Sequence, residues 1–394
     1  MVRRWVHRFG SALACAAVAA GASAEEGGER PFTWRPSFQI RGVLNDNIKL
    51  TDSDKDDDFG YYAAPRVEAA YRKAAYELEF DGSVDVRRYT DDTKVDETFY
   101  RVVTAGEAGI LPGLTARISN TYAPQVEQLG RPDDDPANMI QSNRAEIEMR
   151  YWRELPGARE LSAGIVGGRF DTQKFDALVS GPGGAPVLDD RFRADFWEEA
   201  GFVEFQNPFS EQLAGYARGL VRHRSFDKES DGDHVESSGV MGIRGHFAEG
   251  LEFDVAGGWG WIDFRNGGDD SQVLARADLK FRRADGWRFN LGFHHELTVD
   301  ITGEDFTDTT GRLGVEKYFG AQTAASVVGF ISRLDSDATD PSENVFGGVE
   351  VKIRRQLVRR VEVSLAYRYW KNAGDFDPDD FEQSRLVLGL TYRH

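Results

Sequence analysis

The chain is dominated by an alternation of apolar and polar residues, in segments of roughly ten residues, from Phe38 to His394. Within residues 75–89, the even positions from Tyr76 to Val86 are apolar or glycine, and the odd positions from Glu77 to Arg87 are polar. A period of two predicts β-strands with one apolar and one polar face. The segment recurs about eighteen times, and closure into a barrel removes the exposed edges of so many strands.

The connections between these segments alternate as well. Tight turns such as Leu155-Pro156-Gly157 follow even-numbered segments, and longer acidic stretches such as Pro124 to Asn138 follow odd-numbered ones. Short periplasmic turns and long outer loops are typical of bacterial outer-membrane barrels. We therefore predict an all-β fold, a transmembrane antiparallel up-and-down β-barrel of about 18 strands with both termini periplasmic. No later segment approaches the run of about 20 apolar residues that a membrane helix needs.

The N-terminus has the features of a secretory signal. Three arginines precede the apolar stretch from Phe9 to Ala20, and Ala22-Ser23-Ala24 forms a small-residue cleavage site. The only cysteine, Cys15, lies in this stretch. We predict a signal peptide at residues 1–24, a periplasmic segment at 25–35 and the barrel at 36–394. This arrangement indicates the outer membrane of a Gram-negative bacterium.

Charge refines this interpretation. The net charge of −18 argues against nucleic acid as a partner. The polar faces nevertheless carry many arginines interspersed with acids, which on neighbouring strands would line an aqueous lumen. The predicted lumen-facing residues are Arg87, Arg117, Arg144, Arg150, Arg218, Arg222, Arg276, Arg282, Arg288, Arg368, Glu77, Glu79, Glu146 and Glu148.

Two interpretations of this lining stay open. The guanidinium groups offer donors to carboxylates and sugar hydroxyls, or a wide lumen simply needs solvated side chains.

The segment from Gln173 to Ala194 contains Gly181, Pro182, Gly183 and Gly184, and it either folds inward as a constriction or covers the outer mouth.

Aromatic residues near segment ends predict belts of aromatic side chains at the membrane interfaces. They are Trp34, Tyr76, Trp152, Trp259, Trp261, Trp287, Tyr369 and Trp370.

The last segment places Leu386, Leu388, Leu390, Tyr392 and His394 on one face, which resembles the C-terminal assembly signal of outer-membrane barrels. His394 stands where such signals usually have Phe or Trp.

The sequence predicts no catalytic, cofactor-binding or metal-binding site, and hence no enzyme. His294 and His295 are adjacent, so on a strand they point to opposite faces. The other histidines His223, His234 and His246 lack metal-ligand spacing.

The opening strand, Phe38 to Thr51, reads FQIRGVLNDNIKLT and leads into an acidic stretch. It resembles the start of the putative beta-barrel porin 2 family, in which a strand runs into a Tyr-Asp-Asp-Asn-like element; Asn45 stands where an aromatic residue is common. The resemblance implies an outer-membrane partner of exopolysaccharide synthesis and export.

The leading functional hypothesis is a conduit for export of a secreted polysaccharide. The alternatives are a general or solute-selective diffusion porin, and a non-transporting structural barrel. The predicted partners are outer-membrane lipid and lipopolysaccharide, the barrel-assembly machinery and, for export, a periplasmic polysaccharide export protein at the short-turn end. For export we also expect that replacing Arg218 and Arg222 together by Glu impairs passage without preventing assembly.

Overall fold

The structure is a computed structural model. It describes residues 31–47, 57–90, 97–126, 139–173, 195–227, 233–247, 250–265, 268–299, 305–336, 342–374 and 380–393. The predicted signal peptide, residues Gly181 to Gly184 and His394 lie outside these ranges.

The described residues form one antiparallel sheet of 18 strands. In chain order the strands are β1 (Phe32–Asn45), β2 (Asp58–Lys73), β3 (Tyr76–Tyr89), β4 (Glu97–Leu111), β5 (Leu114–Val126), β6 (Met139–Leu155), β7 (Arg159–Gln173), β8 (Phe196–Ser210), β9 (Leu213–Phe226), β10 (His234–Phe247), β11 (Leu251–Phe264), β12 (Asp269–Arg282), β13 (Trp287–Val299), β14 (Asp305–Phe319), β15 (Thr323–Ser336), β16 (Ser342–Val358), β17 (Val361–Gly374) and β18 (Phe381–Arg393).

The sheet closes on itself, as the alternation predicted. Each strand pairs with its sequence neighbours, and β1 pairs with both β2 and β18. Strand β1 begins at Phe32, before residue 36 where the barrel was expected to start, because Thr33 and Trp34 pair with Ala70 and Ala69 of β2. No helix in the described ranges is long and apolar enough to cross a membrane.

The two ends of the barrel have different connections. Those after even-numbered strands contain two to four residues, and those after odd-numbered strands contain four to 22. Gly113 shows what a tight turn requires. Its φ is +80°, and a Cβ at this position would lie 2.2 Å from the backbone oxygen of Trp152. Any other residue there would be strained and would clash.

One face of the sheet carries exposed apolar side chains. Leu386, Leu388 and Leu390 of β18, at 42%, 58% and 44% exposure, pair with Leu44, Gly42 and Ile40 of β1 on this face. An apolar surface of this kind matches a lipid environment.

The predicted belts of aromatic residues at the membrane interfaces need one correction. Trp34 and Trp261 are exposed among the apolar side chains, but Trp152 and Trp370 lie in register rows of the polar face. Trp370 packs against Phe330, with ring centroids 4.9 Å apart. The prediction of membrane-interface aromatics was wrong at these two positions, because residue type alone does not specify the face of a strand. The period of two does: Trp370 lies two positions from Arg368 and therefore shares its polar face.

The junction between β1 and β18 is fixed by the segment that carries the family resemblance. Asn47 Nδ2 donates to the backbone oxygen of Glu382 at 2.9 Å, and Gln383 Nε2 donates to the backbone oxygen of Asn47 at 2.7 Å. The backbone N–H of Ser384 donates to Asp46 Oδ1 at 2.6 Å. We call this junction, with Asn45, Asp46, Asn47 and Gln383, the seam.

Candidate channel lining

The polar face is the inner face of the barrel. On this face, side chains from strands two apart meet: Arg144 of β6 lies 3.0 Å from Glu198 of β8, and Arg354 of β16 lies 2.7 Å from Glu316 of β14. Side chains converge in this way on the concave side of a curved sheet and diverge on the convex side. The inner wall is therefore polar and charged.

The register places the predicted lumen-facing residues on this inner face, and it pairs many of them. Glu77 and Glu79 both contact Arg72. Arg150 lies 2.7 Å from Glu148, and Arg117 lies 3.9 Å from Glu107. The others with ion pairs are Arg87 with Asp85, Arg144 with Glu146 and Glu198, Arg222 with Glu198 and Glu236, Arg276 with Asp278, Arg282 with Glu252, Arg288 with Glu316, and Arg368 with Glu350.

The densest group of charges surrounds Glu198, which is 8% exposed. Its carboxylate oxygens lie 3.0 Å from Arg144, 3.7 Å from Arg222 and 2.9 Å from Arg224. Glu236 of β10 bridges two of these arginines, at 2.9 Å from Arg222 and 3.4 Å from Arg224. We call Arg144, Glu198, Arg222, Arg224 and Glu236 the Glu198 network.

A glycine on the intervening strand accommodates the contact across β7. Gly168 stands opposite Glu146 on one side and Glu198 on the other. A Cβ on Gly168 would lie 3.1 Å from Glu146 Cγ and 3.0 Å from the Ala145 carbonyl oxygen. The missing side chain leaves the space through which Arg144 reaches Glu198.

A row of aromatic rings lies on the inner face toward the ends with the longer connections. Phe170 and Phe196 stack at 4.7 Å between centroids, and Phe196 lies 5.1 Å from Phe226. His234 continues the row at 6.2 Å from Phe226 and 5.5 Å from Phe264. The row runs across five strands next to the Glu198 network, and Arg224 lies over the Phe196 ring.

Another group of charges and rings lies beside the seam. Arg87 is 5% exposed, its guanidinium lies over the rings of Tyr62 and Phe99, and it pairs with Asp85 at 2.9 Å. The Tyr62 and Tyr89 hydroxyls are hydrogen-bonded at 2.8 Å. Among the predicted lining residues, Arg87 is thus a buried packing group rather than a solvated one.

Arg218 differs from its neighbours. It is exposed to the lumen, and its guanidinium lies 5.4 Å from the Phe202 ring centroid, on a ring that Arg150 also contacts at 5.8 Å. Glu204, opposite Arg218 in the register, pairs with Arg244 instead, at 2.7 Å. Within the described ranges no carboxylate lies within 4 Å of Arg218, so its donors face the lumen.

Sequence reasoning named the arginines of this wall but missed several of their partners. Glu198, Tyr216 and Asp254 were not identified as partners, although their alternation placed them on the inner face. Tyr216 donates its hydroxyl hydrogen to Asp254 at 2.7 Å, and Arg244 stacks on the Tyr216 ring at 4.0 Å. These contacts depend on the register between strands, which the alternation does not give.

Arg169 and Asp227 form one of the ion pairs at the mouth with the longer connections. Arg169 Nη1 donates to Asp227 Oδ1 at 2.6 Å, and this hydrogen bond lowers the pKa of the Asp227 carboxyl, which follows β9 directly. The Arg169 guanidinium also lies 5.4 Å from the Trp197 ring centroid.

Comparisons with known proteins agree with this architecture. A family model described as Putative beta-barrel porin 2 matches residues 27–394. No curated protein matches the chain.

Solved structures share the fold at low sequence identity. The outer membrane protein OpdK from Pseudomonas aeruginosa is 12% identical, with a TM-score of 0.52 over 92% of this chain and 99% of that one. A BenF-like porin from Pseudomonas fluorescens Pf-5 is 11% identical, with a TM-score of 0.53 over 92% and 99%. OccK2 (OpdF) from Pseudomonas aeruginosa, in complex with glucuronate, is 10% identical, with a TM-score of 0.51 over 92% and 96%.

Proposed function

Because the chain belongs to the putative beta-barrel porin 2 family and forms a closed 18-stranded barrel, we propose that it is a diffusion channel for small hydrophilic solutes that favours carboxylates. It is an outer-membrane β-barrel of the porin type, and its family and similar structures are channels rather than enzymes. Barrels of about 16 to 18 strands enclose a lumen wide enough for water.

Arg218 carries the preference for carboxylates. Its guanidinium is exposed to the lumen, lies over the Phe202 ring and is free of carboxylate partners among the described residues. A planar guanidinium presents two parallel donors that fit a carboxylate. The cation–π contact with the ring restrains the group without occupying its donors, which stay available to a passing carboxylate.

Two of the similar structures contain small carboxylate ligands. One of them holds glucuronate and another, OpdK, was solved with vanillate, and both ligands are small carboxylates. At this level of identity the likeness extends to the fold alone, so the cargo of this chain rests on its own arginines. The comparisons support diffusion better than the polysaccharide export that the sequence led us to expect.

Solute flux through proteoliposomes tests the proposal. We expect vesicles containing the protein to admit glucuronate faster than a neutral sugar of the same size. Arg218→Glu should lower the ratio of the two rates by about threefold to tenfold, because it reverses a unit charge a few ångströms from the path. Arg218→Lys is the matched control and should keep most of the preference.

Other results would contradict the proposal. Equal rates for glucuronate and the neutral sugar in the unmodified protein would remove the carboxylate preference. Loss of secreted polysaccharide on gene deletion, with unchanged uptake of small solutes, would restore the export hypothesis. Absence of any solute flux would favour a non-transporting barrel.

A further inference from the structure

A group of potential metal ligands lies on the inner wall, apart from the Glu198 network. His294 and Glu296 occupy alternate positions of β13, and Asp308 of β14 stands directly opposite Glu296. One nitrogen of His294 and one oxygen of each carboxylate all lie within 4.8 Å of one another. The strand register, rather than any sequence motif, brings the three together.

Asp308 is oriented by hydroxyl groups on its far side. Its Oδ1 accepts hydrogen bonds from Thr310 at 2.7 Å and Ser332 at 2.8 Å, and Ser332 is 1% exposed. The other oxygen, Oδ2, lies 3.4 Å from His294 Nε2. Supporting hydrogen bonds of this kind orient ligating carboxylates in metal sites.

The charges around this group are out of balance. Glu296 and Asp308 face each other directly, and like charges in that position destabilise a sheet. Within the described ranges, no lysine or arginine lies within 4 Å of either carboxylate, although arginines accompany most acids of this wall. Arg276, opposite His294 in the register, donates to Asp278 at 2.6 Å instead. A cation from solution would correct this imbalance.

We propose that His294, Glu296 and Asp308 bind one divalent transition-metal ion of the zinc class on the channel wall. An imidazole nitrogen with two carboxylate oxygens suits Zn²⁺, whereas Ca²⁺ and Mg²⁺ prefer oxygen ligands alone. Zinc bonds of about 2.0–2.2 Å bring tetrahedral ligand atoms to about 3.4 Å from one another. The exposed Glu296 side chain has the freedom to close the remaining gap.

A bound ion would alter the channel locally. It would neutralise two facing carboxylates and leave a coordination position open to water or to a carboxylate in the lumen. Zinc should therefore increase the anion preference of the pore. The site does not depend on the proposed cargo, because its formation requires only the register of β13 and β14.

Calorimetric titration of Zn²⁺ into the full, untagged protein in detergent tests this site. We expect saturable binding of one ion per chain, and His294→Ala should weaken it by about tenfold or more because it removes the nitrogen ligand. His295→Ala is the matched control: the neighbouring imidazole contacts Thr309 at 2.7 Å on the opposite face, so affinity should not change. Retarded migration of the unheated barrel in detergent gels verifies that each variant is folded.

Three outcomes would overturn the proposal. The first is the absence of saturable Zn²⁺ binding up to about 1 mM, a concentration at which the binding free energy would be only about −4 kcal/mol. The second is equal affinity for Zn²⁺ in the unmodified protein and in His294→Ala, and the third is Ca²⁺ binding as tightly as Zn²⁺. Either of the last two would mean that the imidazole is not a ligand. Because binding is measured without transport, none of these outcomes depends on the channel activity.

Discussion

The seam and the Glu198 network occupy the same wall but use polar side chains in different ways. At the seam, the amides of Asn47 and Gln383 are fully buried and donate to backbone oxygens of the opposite strand. In the Glu198 network, charged side chains contact one another across β6 to β10. Hydrogen bonds between side chains and backbone fix the closure of the cylinder, and mutually compensated charges build a wall that tolerates water.

The two regions also differ in how far their side chains are exposed to water. Next to the seam, Val43, Tyr62 and Tyr89 form a buried apolar cluster that also contacts Val387 of β18. Within the Glu198 network, the side chains of Arg144 and Arg222 remain 43% and 31% exposed. We infer that the seam serves stability and that the network serves both stability and the field inside the lumen.

The largest expected effect is that of Glu198→Ala. Its removal takes a common carboxylate from three guanidinium groups, leaving Arg144 with Glu146, and Arg222 and Arg224 with Glu236. The largely buried Arg224, at 14% exposure, loses its nearest partner, and removing one partner of a buried ion pair is costly. We expect a loss of about 2–3 kcal/mol in the free energy of unfolding, measured by urea titration with tryptophan fluorescence.

Glu148→Ala is the control for that change, because Glu148 pairs with the exposed Arg150. This substitution should lower the free energy of unfolding by about 1 kcal/mol or less. Equal losses for Glu148→Ala and Glu198→Ala would remove the distinction between a network around a buried carboxylate and ordinary lumen charges.

A smaller effect is expected at the seam for Asn47→Ala. The substitution deletes the hydrogen bond from the fully buried Asn47 amide to the Glu382 carbonyl, which should lower the free energy of unfolding by about 1–2 kcal/mol. Thermal unfolding followed by gel mobility should show a lower transition temperature. Lys371→Ala, which removes an exposed pair with Glu382 on the neighbouring strand, should leave the transition unchanged.

The smallest expected effect is that of Tyr62→Phe. It keeps the ring in the apolar cluster and removes the hydroxyl that is hydrogen-bonded to Tyr89 at 2.8 Å, so we expect a loss of about 0.5–1.5 kcal/mol in the free energy of unfolding, measured by the same urea titration. A loss as large as that of Glu198→Ala would show that the seam region depends on polar contacts as much as the network does.

The alternation in the sequence was sufficient to predict the strands and the faces of most side chains. Arg222 and Leu388 follow from a period of two, and closure follows from the need to satisfy strand edges. The contact between Arg144 and Glu198 could not be predicted, since it requires the relative register of β6, β7 and β8. The proximity of His294 and Asp308 could not be predicted for the same reason, since it depends on the register of β13 and β14.

The segment Asn45-Asp46-Asn47 illustrates a different gap. This segment carries the resemblance to a family, but its physical role could not be predicted from the sequence. In the structure its side chains and backbone bind β18, which lies more than 300 residues away in the chain. Such a role appears only when the first strand meets the last.

The reversal potential of the purified protein in a planar bilayer, under a KCl gradient, tests the central claim most directly. We predict stepwise opening of a water-filled channel and a reversal potential of the sign that indicates preference for chloride, reduced by Arg218→Glu. Absence of conductance steps from correctly folded protein, or a preference for potassium that Arg218→Glu leaves unchanged, would contradict the account.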